Sequence, residues 1–180
     1  MLSETLRLRF AKRGRLKFIS HLDLCRTMQS AMIRACLPLW YTEGFNPHPR
    51  ISVALPLSVG AESECELLDV KVTEMPDPGE VVESLNVATA PELEIIEAYK
   101  PETKFSEIGS SEYRLYIDLP YSEDFDELFA GPIIIPKRTK KGNVETDIKP
   151  YINSIKFEYS DTGTLCRTVL AASTESYLNP

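Results

Sequence analysis

Two alternating periods in the first hundred residues restrict the fold more than any other feature of the chain. From Thr5 to Ala11, Leu6, Leu8 and Phe10 fall on one side of an extended backbone, and Arg7, Arg9 and Ala11 on the other. That is the period of a half-buried strand with arginines on its outer face. Lys12-Arg13-Gly14 is a turn, and Arg15 to Ile19 continues in extended form. Ser20 then opens a helix, with Asp23 three residues on in the manner of a capping box. Leu22, Cys25, Met28, Met32, Ala35 and Cys36 recur at helical spacing until Pro38 ends the element. Residues 50–55 form a second strand, and Glu66, Leu68, Val70 and Val72 alternate with Leu67, Asp69, Lys71 and Thr73 in a third. A short helix over 78–85 and a fourth strand over 93–99 complete the order β-α-β-β-α-β. The expected fold class is therefore α+β, a ferredoxin-like domain with helices on one face of an antiparallel sheet.

A polar linker over 101–111 separates residues 1–104 from a smaller α+β subdomain at 105–180, read as a degenerate ferredoxin-like copy. Its strands are expected at 113–119, 132–138, 144–149, 155–159 and 165–171, with one or two helical turns at 122–129. Lys140-Lys141-Gly142-Asn143 is the tip of a basic hairpin. A chain of 180 residues can bury roughly 70% of its unfolded surface, so neither metal nor disulfide is needed to hold a core. The four cysteines, Cys25, Cys36, Cys65 and Cys166, have no C-x-x-C spacing. They are expected to be free thiols in a reducing compartment. No apolar run approaches a membrane span, and the N-terminus lacks the apolar core of a signal peptide. The expected location is the cytoplasm.

Charge is arranged in blocks. Residues 1–58 hold 9 Lys/Arg and 3 Asp/Glu, a net of +6, whereas residues 59–131 hold 19 acidic and 4 basic residues, a net of −15. Residues 132–180 return to +2, with Lys137, Arg138, Lys140 and Lys141 at one turn. Both histidines fall in the basic block. His21 sits at the start of the first helix, where the positive dipole end favours a neutral imidazole. His48 is held in Asn46-Pro47-His48-Pro49, where the prolines fix the backbone before folding. With Tyr41 and Phe45 upstream, this loop displays stacking and hydrogen-bonding groups at low ordering cost. No Ser/His/Asp or Cys/His nucleophile arrangement, glycine-rich phosphate loop, metal-ligand set or cofactor motif can be read from the spacings.

The run from Phe10 to Leu24, together with Leu37-Pro38, Gly44-Phe45-Asn46-Pro47-His48-Pro49, Leu55-Pro56-Leu57, Val59-Gly60 and Glu62-Ser63, resembles the bacterial radical-SAM-linked protein family, a domain of unknown function. The resemblance is tight over 6–72 and looser over 113–170, where Asp147-Ile148-Lys149-Pro150 belongs to it. It implies a radical S-adenosylmethionine enzyme as partner, encoded beside the domain or fused to it. The C-x-x-x-C-x-x-C ligands of such an enzyme are absent here, so the implied role is accessory, in trans.

The first expectation is a binding protein, without catalytic activity of its own, that presents RNA (transfer or ribosomal) to that enzyme. Arg7, Arg9, Lys12, Arg13, Arg15, Lys137, Arg138, Lys140 and Lys141 would contact phosphates. His21, Asp23, Arg26, Tyr41, Phe45, Asn46, His48 and Arg50 would line one polar site. A metal-independent ribonuclease of ferredoxin-like fold, with His21 as general base, is the enzymatic alternative. A protein-interaction module docking on the radical enzyme is the third reading.

Overall fold

The computed structural model describes residues 3–122, 124–139, 142–161, 163–173 and 178. The chain is α+β and divides into two units, residues 1–103 and 104–180.

In the first unit, β1 (Glu4–Lys12), α1 (His21–Arg34), β2 (Ile51–Val53), β3 (Ser63–Val72), α2 (Pro78–Ala88) and β4 (Leu93–Tyr99) follow one another. The sheet order is β2-β3-β1-β4, with every neighbouring pair antiparallel. Leu6, Leu8 and Phe10 of β1 are fully buried with Leu68, Val70 and Val72 of β3 and Ile95 of β4, under Leu24, Met28, Ala31 and Met32 of α1 and Val81 and Leu85 of α2. Burial of this apolar face, at about 25 cal/mol per Å², is what holds the helices on the sheet.

Local chemistry sets the ends of α1. The Ser20 hydroxyl accepts from the Asp23 amide at 3.1 Å, satisfying one of the orphan donors of the first turn. At the other end Leu37 N donates to Met32 O and Cys36 N to Ile33 O, both at 3.1 Å, the double closure of a Schellman motif. Cys36 takes the left-handed position, φ 54°, which glycine ordinarily fills. Two expectations fail here. Gly14–Phe18 is a 3-10 helix rather than extended chain. Leu22 is 64% exposed while Leu24 and Ala31 are buried, because the buried row is centred on Met28 and Met32 and Leu24 lies one turn before Met28.

In the second unit, β5 (Ser110–Ile117), α3 (Asp124–Leu128), β6 (Ile134–Thr139), β7 (Gly142–Asp147), β8 (Ile152–Ser160) and β9 (Gly163–Ala171) form a three-stranded sheet, β5-β9-β8, and a separate hairpin, β6-β7. Phe125 and Phe129 pack on Phe157 with ring centroids 5.2 and 5.4 Å apart. With one five-residue α-helix among the described residues, this unit does not repeat the element order of the first. Gly163, φ 146°, brings its Cα so close to β5 that a Cβ would stand 2.3 Å from Ile117 O.

Candidate functional site

Strand β1 carries the densest basic sequence of the chain, and pairing decides what those cations face. Arg7 lies directly opposite Asp69 on β3. Its Nε and Nη2 donate to the two carboxylate oxygens at 2.7 and 2.9 Å, the bidentate geometry in which guanidinium pairs best. Asp69, with a smaller contribution from Tyr99, raises the Arg7 guanidinium above its ordinary value. Arg9 bonds Glu97 of β4 at 3.1 Å. Arg13 donates to Glu64 and, at 2.5 Å, to Glu94, and hydrogen bonds to these two carboxylates push its guanidinium up. Lys17 pairs with Glu62 at 3.1 Å.

These pairs correct the expectation of an open basic face. Arg7 is only 4% exposed, and the cations of β1 are matched by carboxylates on the two strands that flank it. Lys12 is corrected on a second ground. It shares the parity of Leu6, Leu8 and Phe10, so it points towards the helices and is 2% exposed. Burial lowers its ammonium, and the charge of Glu66 pulls it partway back. Glu66, opposite Phe10 and 6% exposed, is raised by burial against a hydrogen bond from Ser63 and the charge of Lys12. Its Oε2 has no hydrogen-bond partner among the described residues. Of the proposed phosphate contacts on and after β1, Arg15 is the most exposed, its side chain 94% accessible and its guanidinium at the outer limit of an ion pair with Glu92, 3.9 Å away. Lys137 is exposed on β6, the Arg138 backbone pairs with Asn143, and Lys140 and Lys141 lie outside the described residues.

The helix start and the proline loop keep their exposure. His21 is the first residue of α1, with Cys25 Sγ 3.7 Å from Nε2 and 3.9 Å from Nδ1. Burial raises the Cys25 thiol, which works against a thiolate nucleophile. Asp23 accepts from the Ser20 hydroxyl at 2.7 Å and from Arg26 at 3.3 Å, so it serves the helix cap.

Residues 41–50 form a small hairpin. Tyr41 bridges Pro49, Thr42 N donates to His48 O at 3.0 Å, and Arg50 N donates to Trp40 O at 3.4 Å. Gln29 Nε2 donates to Pro49 O at 3.0 Å and ties this hairpin to α1. Gln29 lies two turns beyond His21 on the row His21–Cys25–Gln29, so the hairpin leans on the side of the helix that carries His21. At the tip, Phe45 is 111% exposed and Asn46 is exposed with it. The His48 ring bonds Asn46 O and the Thr42 hydroxyl. The two histidines share no hydrogen-bond partner among the described residues, and Gln29 is the link between their elements.

Sequence reasoning missed Asp69, Glu64, Glu94 and Glu97 as partners of the basic strand, and Gln29 and Thr42 as supports of the loop. The parity of β3, which puts Asp69 and Leu67 on the face opposite Leu68, carried the signal for the first of these. Among the described residues no three His, Cys, Asp or Glu side chains converge to hold a metal ion, and no helix is long and apolar enough to cross a membrane. In the second unit, an open depression of about 300 Å³ lies between Asp118 and Asp161 beside Tyr159.

No curated protein matches the chain. Residues 5–180 match the model of a bacterial family described as "Uncharacterized protein conserved in bacteria (DUF2344)", and the chain belongs to that family.

Proposed function

We propose that this protein is a non-catalytic docking subunit that binds a radical S-adenosylmethionine enzyme in trans through the 41–50 hairpin. The observation that carries the reading is the contrast between its base and its tip. The base is pinned by Tyr41–Pro49, Thr42–His48 and Gln29–Pro49, while Phe45 is bare to solvent. A fixed scaffold that holds an apolar ring in water fits binding, because the ordering cost is met before the partner arrives. The first unit is read as a ferredoxin-like arrangement, supported by its β-α-β-β-α-β order and antiparallel β2-β3-β1-β4 sheet. The cytoplasm is the proposed location, by way of the same enzyme partner.

RNA held for that enzyme is the second reading, favoured by Arg15, Arg26, Arg50 and Lys137, which remain exposed. It has lost its main support, since most of the β1 cations face carboxylates of the same sheet. Co-purification of the protein with the radical enzyme, with and without ribonuclease, separates the two. Capture that survives ribonuclease and disappears in Phe45→Ala supports docking. Capture abolished by ribonuclease, with RNA affinity falling steeply with salt, replaces it with the RNA reading.

A further inference from the structure

The geometry of His48 assigns it a definite recognition role, which rests on the docking reading and deepens it. His48 Nδ1 lies 3.0 Å from the Asn46 carbonyl oxygen. A carbonyl oxygen only accepts, so Nδ1 must carry the proton. The Thr42 hydroxyl, 3.2 Å from Nδ1, accepts from the His48 backbone amide at 3.2 Å and braces the ring from a second side. The Asn46 carbonyl, which has no proton to give, is the contact that sets the tautomer.

With the proton of the neutral ring on Nδ1, the other ring nitrogen is an acceptor. Nε2 has no hydrogen-bond partner among the described residues, and the residue is exposed. Pro47 and Pro49 restrict the backbone on both sides. The ring therefore meets a partner already oriented and in one tautomer.

We infer that His48 Nε2 accepts a hydrogen bond from an N–H or O–H donor on the partner protein, beside an apolar pocket that receives Phe45. The occupant is thus a protein surface with a donor on the rim of a hydrophobic hole. Phe45 supplies buried area, which any apolar hole can satisfy. His48 supplies discrimination, because a hole without a donor leaves Nε2 desolvated and unpaired, and a rim with a carbonyl in that place opposes lone pair to lone pair.

Two measurements test this. Long-range proton–nitrogen correlation spectra of the free protein at about pH 8, where imidazole is neutral, should find the His48 proton on Nδ1; a proton on Nε2 overturns the inference. Titration calorimetry with the purified radical S-adenosylmethionine enzyme then compares wild type, His48→Phe and His48→Gln. Phe keeps the ring without the acceptor, and Gln puts a polar terminus near the Nε2 position. The expected result is at least about a tenfold loss for His48→Phe, from an unpaired buried donor, and a loss within about threefold for His48→Gln. Equal affinity of wild type and His48→Phe refutes the role of His48 while the docking reading stands. Equal loss in both variants refutes the acceptor role in favour of ring shape. Absence of binding by the wild type defeats the docking reading, and the inference with it.

Discussion

Lys12 and Glu66 place opposite charges inside the core of the first unit, and the cost of doing so can be read from two variants and their combination. They are 2% and 6% exposed and form no ion pair among the described residues. Their attraction is therefore below the ~4 kcal/mol of two charges 4 Å apart at an effective dielectric of about 20. Removing each ion from water costs several kcal/mol, and the orphaned Glu66 Oε2 adds about 1–3 kcal/mol. The pair is thus a net burden whose members nonetheless need each other. Lys12→Met leaves a buried carboxylate alone and should destabilise at pH 7 by about 2–3 kcal/mol. Glu66→Leu strands the ammonium and should cost a similar amount. The double variant should equal wild type or exceed it by about 1–3 kcal/mol, a non-additivity that a double-mutant cycle in urea reads directly.

The pH dependence has a definite sign. Burial raises the folded-state Glu66 above its unfolded value, so the folded protein holds that proton more tightly. Relative to the double variant, which lacks the carboxyl, Lys12→Met should therefore lose stability as pH rises from the unfolded carboxyl value near 4.3 through the raised folded one. A double variant less stable than both singles would refute the reasoning, as would a Lys12→Met variant that gains stability on the double variant over that range.

Other outcomes follow from single contacts. Gly163→Ala forces a Cβ to within 2.3 Å of Ile117 O at φ 146° and should destabilise the second unit by at least about 2 kcal/mol, read by its thermal transition. Asp69→Asn weakens the partner of a 95% buried Arg7 side chain and should cost about 2 kcal/mol in denaturant titration, part of the buried-pair range because Asp69 itself keeps 21% exposure. Cys36→Gly relieves the left-handed position at the end of α1 and should stabilise by about 1 kcal/mol. Phe45→Ala should leave stability unchanged within about 0.5 kcal/mol, since the residue is fully exposed.

The elements of the first unit were legible because each obeys one period. β4 was read at its observed bounds, Leu93–Tyr99, and the Ser20 cap of α1 follows from residue types alone. Exposure was less legible. Arg7 obeys the strand alternation, yet its burial depends on Asp69, 62 positions away, and no local pattern announces that register. Lys12 was misread against its own parity, because a lysine in a basic turn looks like surface. Phe45 and the proline loop were legible as a display, whereas the tether from Gln29 depends on how a hairpin meets a helix. The second unit was harder because its strands are short, its helix is five residues long and its hairpin stands apart from its sheet.

The ion pairs across β1 also bear on how the first unit is made. The strand that holds the arginines precedes its carboxylates in the chain by a long way, Asp69 coming 62 positions after Arg7 and Glu97 88 positions after Arg9. Until the chain has grown through Val72, β1 lacks its β3 neighbour, and until Tyr99 it lacks β4, so the basic segment with its row of Leu6, Leu8 and Phe10 waits for both. Central placement of the earliest strand makes the closing contacts long in sequence, which slows folding and leaves an aggregation-prone species exposed while it waits. The charge neutralisation of β1 is thus supplied by chain that follows it, and a first unit cut short before β4 would leave Arg9 without Glu97 and one edge of β1 unpaired.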